Sequence, residues 1–341
     1  MSASENGTAL RDACMSGRRR RPANGSPRGT AGTRRRPGKP FEIRGVRREN
    51  ARSHAQPTDR GQVVKQPDKH GLLGIVSSEP TEFSVILQDA PRSLAALSRE
   101  HRDGWGLAVF ESQRPKGGAT DHGWRLHKAV ACAAEDMDFR RLAAASGELM
   151  ISHIRRRTVG AVSLENTHPF RSGRWVFAHN GTVRECGFLR SNTSSQRQAE
   201  LRGHTDSEQL FAYLLSELDA AGIAEVPASP DTDAVLRRTT RLACANASFG
   251  SANFLLSDGI TMYAHRFGRT LFLLDRGPED PVRASRHSRD GTTVMTPWHP
   301  RRRAVLIASE AMTDEPWSEI EEGELLRIDR IPAPRWRRLA A

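Results

Sequence analysis

The chain has 341 residues, 37% of them hydrophobic and 6% aromatic, enough to bury one sizeable core or two modest ones. Its formal net charge is +12, yet residues 1–69 carry 17 Lys/Arg against 6 Asp/Glu, a net of +11, so the rest is nearly balanced at +1. No run approaches 18 apolar residues, and no apolar signal segment opens the chain, which excludes a helical membrane span and predicts no export.

Four cysteines (Cys14, Cys132, Cys186, Cys244), none in a CxxC pair, form neither a disulfide framework nor a structural zinc site, and a reducing cytoplasm is the expected location. The leader, residues 1–69, has Arg18 to Arg21 and Arg34 to Arg36 set among Gly, Pro, Ser and Thr, and almost no apolar periodicity. Such a segment is expected to be a disordered, Arg-rich tail. Its charge suits nonspecific nucleic-acid phosphate, so one reading of the protein is a scaffold acting through this tail; the plainer alternatives are a solvated leader or an over-long gene start.

Beyond the leader, short apolar runs bounded by Gly, Asp, Asn or Pro predict strands over 71–77, 104–111, 124–129, 149–155, 174–180, 253–258, 260–265, 270–275 and 304–309. Asp258-Gly259 predicts a tight hairpin between two of them. Helical periodicity appears over 93–101, 135–146, 207–222 and 231–247. In the third of these, Leu210, Phe211, Leu214, Leu215 and Leu218 share a stripe, with Asp206 or Ser207 as N-cap and Gly222 as stop. Residues 190–204 and 278–300 are expected to be irregular surface excursions. Many strands with a few amphipathic helices predict an α+β fold in which helices cover sheet layers.

Polar clusters fall at the predicted strand ends: "HRDGWGLAVF" (101–110), "ISHIRRRTVG" (151–160), "ENTHPF" (165–170), "WVFAHNGTV" (175–183) and "GHTDSE" (203–208). Taken singly, each has an ordinary structural explanation: Asn180-Gly181 is a common turn, Asp206 a common cap. His153, His168, His179 and His204 lack the tight spacing of a metal hydrolase, and no metal or other cofactor is expected.

Taken together and in this order, with "NFLLSDG" (253–259) and the stretch 306–325, the clusters resemble the class II glutamine amidotransferases of the stand-alone bacterial type, from about residue 70 to about 330. The resemblance implies a four-layer αββα sandwich of two antiparallel sheets, the N-terminal-nucleophile hydrolase fold, with residues 331–341 as a C-terminal tail. It also implies hydrolysis of the glutamine amide to glutamate and ammonia by an N-terminal cysteine whose own α-amine takes the proton.

Carried over by position, Asn180 and Gly181 match the oxyanion-hole pair, and glycine would let the backbone approach the ligand closely. Arg155 matches the clamp on the glutamine α-carboxylate, and Asp206 the partner of its α-ammonium. Residues 155–166 would close over bound glutamine through Thr158 and Gly160, with His101, Asp103 and Gly104 at the same end of the sheets.

The chain departs from the pattern where the family begins. The strand after the family's cysteine matches "GLLG" at 71–74, and the cysteine's own place is held by His70, with 69 residues before it. Both the sulfur nucleophile and the free amine are missing. The resemblance therefore implies a glutamine-binding pseudoenzyme with impaired or absent glutaminase activity; a misread N-terminus hiding an active enzyme is the alternative.

Overall fold

The computed structural model describes residues 71–90, 92–112, 123–246, 248–277, 285–287, 293–295 and 302–339. The leader, and His70 with it, lie outside the described residues. In chain order the strands are β1 (Gly71–Glu82), β2 (Trp105–Phe110), β3 (Trp124–Ala129), β4 (Ser146–Ile154), β5 (Phe170–Ser172), β6 (Trp175–Val183), β7 (Gly250–Ser257), β8 (Thr261–His265), β9 (Phe272–Arg276), β10 (Ser285–His287), β11 (Thr293–Met295), β12 (Ala304–Ala308), β13 (Ser318–Glu319), β14 (Leu325–Asp329) and β15 (Arg335–Arg338). The helices are α1 (Leu94–Ser98), α2 (Met137–Ala143), α3 (Cys186–Ser191), α4 (Ser195–Ala199), α5 (Asp206–Ala220) and α6 (Pro230–Cys244), with a π-helical turn over Val85–Asp89.

Two antiparallel sheets form the body. One runs β13-β9-β12-β1-β4-β2-β3 and the other β15-β14-β8-β7-β6-β5, while β10 and β11 make a small separate ladder. Strand alternation sorts the side chains into layers. From β1, Leu72 and Val76 join Ala178, Leu255 and Met262 between the sheets, whereas Leu73 and Ile75 face outward onto Leu94, Leu97 and Phe139. The second sheet turns Phe177, Phe254 and Tyr263 outward onto Leu210, Phe211, Leu214 and Leu236 of α5 and α6. The result is helix, sheet, sheet, helix, with three apolar layers; each fully buried leucine contributes roughly 1.5–3 kcal/mol. Gly74 lets the sheets meet closely, since a Cβ there would stand 2.8 Å from both Leu255 and Met262.

Most of the expected elements form. The hairpin at Asp258-Gly259 closes β7 onto β8, with Asp258 Oδ1 accepting the Ile260 and Thr261 N–H groups at 3.0 and 2.8 Å and Gly259 at φ +89. Gly222, at φ +70, ends α5 as expected. Three expectations are corrected. The stretch 190–204 is not irregular: it contains the end of α3 and all of α4, whose Arg197 bonds Asp219 and Glu200. The helix expected over 207–222 begins at Asp206 with Thr205 as its N-cap, not Asp206 or Ser207, and Thr205 Oγ1 accepts the Glu208 N–H at 3.2 Å. Within the stretch expected to be a tail, Arg335–Arg338 pairs with β14 as an edge strand. Most of 278–300 lies outside the described residues.

Candidate active site

One cleft draws on β4, β6 and the N-terminus of α5. It is lined by His153, Arg155, Arg156, Thr158, Val159, Asn166, His168, His179, Asn180, Gly181 and Thr205 to Ser207, and measures about 390 Å³ including open solvent. Arg155, Thr158, Asn180, Gly181 and Asp206, named from sequence, therefore meet in one place. Gly160, Asp103 and His101 do not line it.

Register explains how they converge. In the first sheet β1 begins at Gly71 opposite Ile154, so the chain enters the sheet beside the residue that precedes Arg155. The Arg155 N–H donates to the Gly104 carbonyl at 2.8 Å, which fixes the strand end. Its side chain then doubles back under the following loop, with Nη2 donating to the Val159 and Ala161 carbonyls at 3.3 and 2.9 Å. Arg155 is only 4% exposed, and its Nη1 has no acceptor among the described residues. Burial pulls its pKa below the ordinary value, with Asp103 opposing. The hydrogen-bond partners of Arg155 are carbonyls alone, so Nη1 keeps the capacity to meet an anion.

The loop after Arg155 is braced from below. Asp103 Oδ2 accepts the Arg157 N–H at 2.9 Å, Gly160 turns at φ +74, and Asn166 links Ala161 to the His204 N–H at 3.0 and 2.8 Å. Asp103 and Gly160 thus shape the loop rather than face the cleft. Asn166 was missed from sequence, although "ENTHPF" lay among the quoted clusters.

Four consecutive residues divide the work at the start of α5. Thr205 caps the helix, Asp206 Oδ2 accepts the Val183 N–H at 2.7 Å, Ser207 bonds His179, and Glu208 accepts the N–H groups of Arg202 and Gly203 at 2.9 and 2.7 Å. Thr-x-x-Glu is the pattern of a capping box, a signal that could have named Thr205 in advance. Asp206 is 5% exposed and sits where the helix dipole favours negative charge.

On β6 the N–H groups alternate in direction. Those of Thr182 and Arg184 reach the Ser251 hydroxyl and the Phe249 carbonyl at the β7 side, and that of Val183 turns the other way to Asp206. By the same alternation the Gly181 N–H faces away from β7, on the edge that Asp206 occupies. Glycine at 181 has a reason other than ligand approach: a Cβ would stand 2.2 Å from the Ser251 carbonyl and 2.4 Å from His179 Nε2. Asn180 is 2% exposed, and its Nδ2 has no partner among the described residues.

Burial favours the neutral form of His168, His179 and His265. The Ser251 carbonyl can only accept, so His179 Nε2 donates to it at 3.1 Å and Nδ1 accepts from the Ser207 hydroxyl at 2.9 Å. Burial pushes the pKa values of His179 and His168 down, and that of His265 to about 4. His153 and His168 meet edge to face at 4.3 Å, and among the described residues no group of three His, Cys, Asp or Glu could hold a metal ion. A histidine whose folded pKa is depressed contributes stability that is full above the unfolded value near 6.5 and is lost as pH falls toward the folded value. The thermal midpoint is therefore expected to drop as pH is lowered from 7.5 through the window between about 6.5 and 4; a midpoint that holds level or rises over that range would contradict it.

No cysteine among the described residues lines the cleft. Cys132 packs on Ser98, while burial raises the thiol pKa of Cys186 and pushes that of Cys244 up to about 12, opposite to the shift of a reactive thiolate.

Comparison with known proteins decides the family. The model of the class-II glutamine amidotransferases matches residues 70–331. The chain belongs to that family. "Putative glutamine amidotransferase YafJ" of Escherichia coli (strain K12) is 30% identical over 268 residues, covering 74% of this chain and 94% of its own length. The "Gamma-glutamyl-hercynylcysteine sulfoxide hydrolase" of Mycobacterium tuberculosis (strain CDC 1551 / Oshkosh) is 26% identical, covering 77% and 98%. A crystal structure described as a predicted glutamine amidotransferase from Pseudomonas aeruginosa PA01 superposes with a TM-score of 0.52 at 28% identity, covering 75% of this chain and 96% of the other. The sandwich of this class II amidotransferase is thus of the N-terminal-nucleophile hydrolase type. No helix among the described residues is long and apolar enough to cross a membrane.

Proposed function

We propose that this class II amidotransferase binds glutamine in the cleft through a retained recognition shell, and that its amide hydrolysis is impaired or absent because His70 stands where the family's nucleophilic cysteine belongs. The observation that carries the reading is Arg155: a buried guanidinium with an unfilled Nη1, in the same cleft as the Asp206 carboxylate. A cation and an anion held apart in one cleft suit the α-carboxylate and α-ammonium of an amino acid. Asn180, with Nδ2 unpartnered, and the Gly181 N–H suit the side-chain carbonyl oxygen at the other end. Thr158 belongs to the loop over the ligand, and Gly160 and Asp103 keep that loop in shape.

The relative named for a gamma-glutamyl compound supports the same head-group recognition, since a γ-glutamyl group carries the α-amino-acid end of glutamine. The family match starts at residue 70, where the sequence has histidine, and no thiol among the described residues lines the cleft to replace the lost one. Titration calorimetry of the full chain with glutamine is expected to show saturable binding without the continuing heat of turnover. No binding at millimolar glutamine would reject the retained shell.

A further inference from the structure

The Asn180 side chain is a symmetric-looking group with opposite ends, and which end faces the cleft decides what it can recognise. Its Oδ1 accepts from Arg269 Nη1 at 3.4 Å, and its Nδ2 is the atom left without a partner. A guanidinium has only donors, so the amide atom it touches must be the oxygen, and the N–H₂ is turned to the cleft. We propose that Arg269 is a positioning residue that sets the orientation of the Asn180 amide, so that the cleft presents a donor to the side-chain oxygen of its ligand. The inference rests on the reading of the cleft as a glutamine site.

Arg269 is itself held from several sides. It belongs to the turn between β8 and β9, and its Nε donates to the Ser251 hydroxyl at 3.3 Å. That hydroxyl also accepts the Thr182 N–H at 2.9 Å, while the Ser251 carbonyl accepts from His179. Asn253, buried on β7 directly opposite Asn180, accepts the Phe267 N–H at 2.8 Å and donates to the Thr270 carbonyl at 2.9 Å, pinning the turn on both sides of Arg269. Gly268, at φ +83, packs this turn against Ser251, where a Cβ would stand 2.8 Å from the serine Cβ. Residues 179–182 are therefore clamped to one frame, and Arg269 selects the amide face within it.

The terminal torsion of asparagine is broad and roughly two-fold, so without Arg269 the amide is free to turn over. Glutamine tolerates the reversal, because its own amide turns with it and donates to Oδ1. Glutamate does not, because a carboxylate only accepts. In Arg269→Met, the ratio of the glutamate to the glutamine dissociation constant is expected to rise about twofold, because glutamate binds only the roughly half of a freely turning amide population that still presents its donor. Arg269→Lys keeps a donor-only head and is expected to stay near the wild-type ratio; if Arg269→Met does not fold, Arg269→Gln, which offers an acceptor as well as a donor, takes its place.

Removing a positive charge also disfavours glutamate directly, and the Asn180→Ala background separates the two effects. A positioning role predicts that Arg269→Met moves the ratio only when Asn180 is present. An unchanged ratio, or an equal shift in both backgrounds, overturns the role of Arg269 and leaves glutamine recognition standing. Failure of the wild type to bind either ligand overturns the recognition reading, and this role with it.

Discussion

Incubated with glutamine, the full chain is expected to release ammonia on the order of 10⁶ more slowly than an amidotransferase with its nucleophile intact. That factor is the cost of deleting the attacking side chain in a serine protease, where binding and oxyanion contacts survive the deletion. The comparison is apt because the proposed loss leaves the proposed binding groups in place: Arg155, Asp206 and Asn180 line one cleft, while no thiol among the described residues does. On the proposed reading, position 70 would have to supply two groups, a sulfur to attack and an α-amine to take its proton. Residue 70 is histidine and internal to the sequence. Recovery should be stepwise. His70→Cys in the full chain supplies the sulfur alone and is expected to remain near baseline, whereas the same cysteine at the start of a chain trimmed to residue 70 supplies both and is expected to gain orders of magnitude. Ammonia release by the unaltered chain at an ordinary family rate would overturn the proposed loss of activity.

Replacing Arg155 by methionine is expected to weaken glutamine binding by about 2–5 kcal/mol, roughly 30-fold to several thousand-fold, because a carboxylate then enters the site without the buried guanidinium to meet it. The effect on the empty protein should run the other way. Arg155 is buried, its hydrogen-bond partners are carbonyls alone, and burial already works against its charge. A methionine of similar length removes that desolvation cost, so the thermal midpoint should hold or rise. Calorimetry and thermal melts on one pair of proteins test both halves. Lost binding with a collapsed midpoint would mark Arg155 as a structural residue; unchanged binding would remove it from the recognition shell.

Position 206 shows where sequence reasoning reaches its limit. The motif "TDSE" identified the right stretch, but each side chain's task depends on an element distant in sequence: Asp206 on Val183, Ser207 on His179, Glu208 on Arg202 and Gly203. The strands and the two long helices were legible because their apolar period is local. The short helices α3 and α4 and the short strands β5, β13 and β15 carry too few residues for a period to register, and they form because the layers around them present partners.

Arg269, Ser251 and Asn253 show the same division at the site. Nothing in "GRTLFLLD" marks an arginine aimed at an asparagine 89 positions earlier; the β6–β7 register and the pinned turn after β8 bring them together. By itself the sequence determined the layered α+β class, the family and the stretch of chain that carries the cleft, because these reside in residue identity and local periodicity. Which polar groups face the cleft, which brace it, and which are left unpaired was decided only by tertiary structure, since hydrogen bonding between distant strands depends on register and turn geometry that no local pattern encodes.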